Sequence, residues 1–125
     1  MRVIVDSSVW IDYFKSGVNT EELDNLIDDN LVYTNDLILT ELIPFLKLKR
    51  HFSIIKIIKE ISIFPLLTNW SEIQGYQLDC LKSGISGIGI PDLVIAQNAK
   101  QNDSYIFSLD KHFKLMKEVL GIKIY

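Results

Sequence analysis

The sequence predicts an α/β fold, a central and mainly parallel sheet with helices on both faces. Three observations predict it. Short apolar runs alternate with amphipathic segments along the whole chain, as strands joined by helical crossovers do. The first run, Val3 to Val5, is β-branched throughout and ends at an acid, the pattern of a strand buried on both faces. Of the 125 residues, 48% are apolar, enough for a core, while Gly and Pro are sparse and charge runs are short. Length and composition suit one compact domain spanning residues 1–125.

The elements follow in order. After the strand Val3 to Val5, Ser7 or Ser8 can cap a helix whose apolar face is Val9, Trp10, Tyr13 and Phe14. Asn19 to Glu22 opens a second helix with Leu23, Leu26 and Ile27 on one face, and Leu31 to Thr34 reads as the next strand. Asn35 or Asp36 caps a third helix carrying Leu37, Ile38, Glu41, Leu42 and Phe45, with a kink expected at Pro44 because proline removes a helical donor. Ile54, Ile55, Ile57, Ile58 and Ile61 suggest a further amphipathic helix. Ile63 to Leu66 suits a short edge strand, where Pro65 is tolerated. A helix runs from Trp70 to about Lys82, followed by a glycine-rich loop, Gly84 to Gly89, expected to be mobile at the rim of a crevice. Pro91 suits the first turn of the next helix and puts Asp92 near its start. Tyr105 to Phe107 is a strand, Asp110 opens a short helix, and Ile122 to Ile124 forms the last strand.

Composition narrows the function. A lone cysteine, Cys80, cannot form an internal disulfide and fits a reducing compartment, so a cytoplasmic protein is expected. Met1 and Arg2 lead into a three-residue apolar run without a signal-peptide pattern, and no stretch approaches the roughly 20 apolar residues of a membrane span. The net charge of −3 argues at first against a polyanion partner. Its distribution qualifies that: no acid lies between Leu42 and Lys59, a stretch holding Lys47, Lys49, Arg50, Lys56 and Lys59. With four carboxylates neutralised by metal, the balance becomes 13 basic against 12 acidic residues.

Those four carboxylates are Asp6, Glu41, Asp92 and Asp110. In open parallel sheets, ligands bind beyond the carboxyl ends of the strands. Asp6 and Asp110 lie just past strand ends, and Glu41 and Asp92 lie in helices able to face the same crevice. Each also has an ordinary reading. Asp6 and Asp110 suit helix caps, Asp92 suits the positive end of a helix dipole, and Glu41 suits a polar helix edge. Other chemistries find less support. Gly84, Gly87 and Gly89 match neither the dinucleotide fingerprint nor a P-loop. His51 and His112 lack zinc-site spacing and read as surface histidines. Trp10, Tyr13 and Phe14 read as core or dimer contacts rather than base-stacking platforms.

The order of these motifs resembles the PIN-domain ribonucleases, and most closely the VapC-like toxins. The resemblance rests on VIVDSSVWID from Val3 to Asp12, LTEL from Leu39 to Leu42, PDLVIA from Pro91 to Ala96, and SLDKHF from Ser108 to Phe113. It covers essentially the whole chain and implies a PIN-like three-layer α/β/α sandwich. By the resemblance, Asp6, Glu41, Asp92 and Asp110 bind Mg²⁺ or Mn²⁺, hard cations suited to oxygen ligands. The activity it implies is endonucleolytic hydrolysis of RNA, with the cation lowering the pKa of water and stabilising charge on the attacked phosphate. Ser7, Ser8 and Ser108 would orient the carboxylates, and Lys47, Lys49 and Arg50 are candidate RNA contacts. The resemblance further implies a small antitoxin partner whose tail enters the acidic crevice. It also implies a homodimer, with the apolar helix faces near the N-terminus and after Glu41 as candidate surfaces. One position departs from the pattern: many relatives carry another acid where this chain has His112, which is therefore placed outside the site. Two other readings compete, a catalytically silent RNA- or protein-binding module of the same fold and an Asp-dependent phosphotransfer domain. The phosphotransfer reading is weakened by Ser8, where dehalogenase-like phosphatases need a second Asp, and by the single acid near the first strand.

Overall fold

The computed structural model describes residues 1–15 and 17–125. Its strands are β1 (Val3–Val5), β2 (Val32–Thr34), β3 (Ser62–Ile63), β4 (Tyr105–Phe107) and β5 (Lys123–Ile124). They form one parallel sheet in the order β3-β2-β1-β4-β5. The helices are α1 (Ser7–Phe14), α2 (Thr20–Asp28), α3 (Asp36–Leu48), α4 (Phe52–Lys59), α5 (Trp70–Lys82), α6 (Ile90–Gln101) and α7 (Lys111–Leu120). The chain builds outward from β1 to β3, then returns across the sheet to lay β4 against the other side of β1. The reversal puts the topological switch point between β1 and β4, where Val5 pairs with Phe107.

Alternation along the strands divides the core in two. Val3 and Val5 face a cluster with Phe107 of β4 and with Val9, Trp10, Leu23, Leu42 and Ile55, drawn from the helices α1 to α4. Ile4 and Ile106 face the other cluster, with Ile73, Leu93, Ala96, Phe113 and Met116 of α5, α6 and α7. This is the three-layer α/β/α arrangement the sequence predicts. Helix α6 is buried at every position from Leu93 to Ala99, polar residues included. Asn98 donates to Pro65 O and accepts from Asn35 Nδ2, each at 3.0 Å. Gln97 donates to Asn69 O and Glu72 and accepts from Asn69 N. These bonds satisfy the buried amides and fix α6 against the start of α3 and the segment before α5.

Several boundaries differ from expectation. The residue at the N-cap of α1 is Asp6, and Ser7 and Ser8 lie within the first turn. Trp10 is fully buried in the core, while Ile11, Tyr13 and Phe14 on the same helix are half-buried. Helix α3 agrees with expectation: of the two candidate caps it uses Asn35, whose Oδ1 accepts from Ile38 N at 2.9 Å, and it runs through Pro44 to Leu48. The edge strand β3 is shorter than expected and ends before Pro65, and β5 begins at Lys123 rather than Ile122. Among the described residues, no helix is long and apolar enough to cross a membrane.

Candidate metal centre

Asp6 follows β1 at the switch point and is only 7% exposed. It occupies a helix-cap position, yet its side chain makes no capping bond. Instead, Oδ2 accepts from two hydroxyls, Ser8 Oγ at 2.9 Å and Ser108 Oγ at 2.8 Å. Each serine is held in turn by a backbone amide of the loop after β4. Leu109 N donates to Ser8 Oγ, and Asp110 N donates to Ser108 Oγ, both at 3.0 Å. The two hydroxyl protons are thus directed at one oxygen of Asp6, and this network ties the loops after β1 and β4 together. Ser7 is half-buried and has no such bond among the described residues.

Asp92 lies in the first turn of α6, after Pro91. It is half-buried, and its carboxyl pKa is raised, chiefly by burial, then by the charges of Asp110 and Asp6. A backbone hydrogen bond from Gly89 and the nearby His112 pull the other way. Glu41 sits one and a half turns into α3, exposed at the crevice rim. Its pKa is also raised, by partial desolvation first and then by Asp6 and Asp92. The like-charge effects link Asp6 to Glu41 and Asp92, and Asp92 to Asp110. Asp110 caps α7, accepting from His112 N at 2.9 Å, so its ordinary helix-cap reading holds alongside its place in the crevice.

His112, read from the sequence as a surface histidine outside the site, lies beside Asp110. The imidazole is half-buried, with Nδ1 3.0 Å from Asp110 Oδ1. One donor atom each from Asp92, Asp110 and His112 lie within 4.8 Å of one another. The glycine loop walls this corner. A Cβ on Gly87, which has φ +77°, would lie 3.7 Å from His112 Nε2, and one on Gly89 would lie 3.9 Å from Asp92 Oδ2. The sequence held one signal for His112, its position two residues after Asp110 at a helix start. The other histidine, His51, stacks on Phe14 with ring centroids 5.5 Å apart.

Lys47, Lys49 and Arg50 are exposed and do not join the crevice. Lys47 lies in the last turn of α3, six residues beyond Glu41 and about 9 Å further along its axis at about 1.5 Å per residue, and Lys49 and Arg50 follow the helix end.

Carboxylates that crowd one crevice repel each other unless a cation intervenes. Oxygen donors of this kind, partly open to solvent, fit a hard divalent ion that keeps some of its water. Fold and crevice together define an α/β protein with an acidic centre at the switch point of a parallel sheet. The chain belongs to the PIN domain family, whose model matches residues 3–119. PIN domains are generally nucleases. The fold is similar to that of VapBC2 from Rickettsia felis, solved bound to a DNA fragment from its promoter. That match has a TM-score of 0.77 and 16% identity, covering 100% of this chain and 98% of the other. It is similar also to DNA-bound VapBC from Salmonella typhimurium, with a TM-score of 0.76 and 17% identity over 100% and 97% of the two chains. A search of curated proteins finds no match.

Proposed function

We propose that this chain is a metal-dependent endoribonuclease, the toxin of a toxin–antitoxin pair, acting in the cytoplasm. The observation that carries the reading is the Asp6 network. A residue placed to cap a helix instead has its carboxylate oriented by two serine hydroxyls, beside acids from three other elements. Plain helix capping does not account for that expenditure of polar contacts in a half-buried crevice.

Mg²⁺ or Mn²⁺ held by Asp6, Glu41, Asp92 and Asp110 would supply Lewis acidity to the attacked phosphate and a more acidic water. The chain's own contribution is to fix the ligands. Ser8 and Ser108 set the plane of Asp6, and the capping bond to His112 N sets Asp110. Glu41, exposed and with a raised pKa, is the carboxylate best suited to accept a proton from the attacking water. Lys47, Lys49 and Arg50 would meet the RNA backbone well away from the cleaved bond, adding salt-dependent affinity without sequence readout.

The solved VapBC structures contain antitoxin as well as toxin, which supports a small antitoxin as partner here. A basic side chain from it would relieve the repulsion among the acids. A homodimer is also proposed. Two apolar surfaces are candidates: the faces near the N-terminus and after Glu41, where Ile11, Phe14 and Phe45 line an open pocket, and a groove of about 510 Å³ formed by Trp70, Leu78, Leu81 and Ile90 along α5 and the start of α6.

The test is RNA cleavage by purified protein with Mg²⁺ or Mn²⁺, followed by sequencing of the new RNA ends. Wild type should cleave, while Asp6→Asn and Asp92→Asn should not. Cleavage retained in both variants would overturn the site, and tight RNA binding without cleavage at any metal concentration would favour a silent binding module.

A further inference from the structure

The acidic centre accounts for four carboxylates and leaves His112 without a role. We propose that His112 is itself a metal ligand, acting with Asp92 and Asp110 so that one side of the centre has a mixed nitrogen–oxygen donor set. The inference rests on the metal-centre reading above and extends it to a residue the acidic pattern does not include.

Three observations carry it. The first is spacing. Metal bonds of roughly 2.1 Å at right angles place neighbouring donors roughly 3.0 Å apart. His112 Nδ1 and Asp110 Oδ1 are 3.0 Å apart, and a donor atom of Asp92 lies within 4.8 Å of both side chains' donors. Without a cation, that short contact is an ion pair when the ring is protonated. With one, the same two atoms can occupy adjacent positions around the ion.

The second is anchoring. His112 is the second residue of α7, and its backbone N–H is fixed by the carboxylate of Asp110. The ring edge therefore faces Asp110 and Asp92 from a rigid helix start.

The third is charge. Asp92 and Asp110 already bring two carboxylates to this side of the centre. A neutral imidazole adds a donor without adding to their repulsion, whereas a further acid would increase it. Carboxylate and water suit Mg²⁺ and Mn²⁺, while imidazole suits later transition ions. His112 should therefore shift preference from Mg²⁺ towards Mn²⁺, and make Zn²⁺ or Ni²⁺ tight competitors.

The test uses full-length protein with Mn²⁺ and no RNA, read by pulsed electron paramagnetic resonance. Wild type should show ¹⁴N modulation from a coordinated imidazole, replaced by the ¹⁵N pattern when histidine is isotopically labelled. The chain has only two histidines. The signal should vanish in His112→Ala and survive in His51→Gln. Mn²⁺ affinity should fall at least about tenfold in His112→Ala, the lower end of what losing a supporting group costs a metal site. Mg²⁺ affinity should fall less. Bound Mn²⁺ with no nitrogen modulation in wild type overturns the proposal while sparing the carboxylate centre, as does modulation that persists in His112→Ala. Absence of saturable Mn²⁺ binding removes both readings, so the two failures are distinguishable.

Discussion

Asp92→Asn should stabilise the metal-free protein and destabilise the metal-loaded one relative to wild type. Donor atoms of Asp92 and Asp110 lie within 4.8 Å. At that separation two like charges repel by about 3 kcal/mol at an effective dielectric of about 20, and by about 1 kcal/mol at the bulk-water value. Both groups are half-buried, which puts the relief on removing one charge at about 1 to 2 kcal/mol. Against this stands the loss of a negative charge in the first turn of α6, about 0.3 to 1 kcal/mol. The net gain is about 1 kcal/mol, or about 4 °C in Tm for a chain of this size.

The pH dependence fixes the sign. The folded-state pKa of Asp92 is raised, so ionising it opposes folding. That cost is absent below the unfolded carboxylate range, near about pH 3.9, and grows as pH rises through the folded pKa. The advantage of Asp92→Asn should thus be full at neutral pH and shrink on acidification. Urea unfolding in a chelator, at neutral pH and near pH 4, measures both. Adding Mg²⁺ at about 100 times its Kd should stabilise wild type by about 2.7 kcal/mol and the variant by much less, reversing their order. A metal-free variant no more stable than wild type, or an advantage that does not change with pH, would refute the repulsion argument.

Three further outcomes follow from the same contacts. Ser108→Ala removes one of two hydroxyls orienting Asp6 and the acceptor for Asp110 N, and should weaken Mn²⁺ binding by about 10- to 100-fold in calorimetry with the fold intact. Asn98→Ala strips partners from Asn35 and Pro65 O in the core and should cost about 2 to 3 kcal/mol in urea unfolding, with no direct change at the crevice. If α5 carries the homodimer, Leu81→Asp should halve the mass measured by light scattering, whereas a wild-type monomer would remove that proposal.

The sequence made strand and helix order legible because each element has a strong local signal. Val3 to Val5 could be little other than a buried strand, and Asn35 and Pro91 mark helix starts by their chemistry. Burial of Gln97 and Asn98 was not legible, since the helix they occupy is enclosed by the sheet and two other helices and shows no polar face to contrast with an apolar one. Only the assembled layers reveal that their amides have partners at Pro65, Asn69 and Asn35.

The carboxylates separate in an informative way. Helix capping was a sound alternative for Asp6 and Asp110, and it holds for Asp110 alone. The difference lies in the partners. Ser8 is two residues from Asp6 and was visible beside it, but Ser108 arrives only because β4 pairs with β1 after the chain has crossed the sheet. His112 was set aside because it breaks an acidic pattern. Its position near Asp92 depends on the loop around Gly87 and the start of α7 approaching the start of α6, which no local spacing encodes. A site at a topological switch point is assembled from segments far apart in sequence. What can be read beforehand is the residue chemistry each segment brings, and a residue that departs from the expected chemistry there is a candidate for tuning the site rather than for exclusion from it.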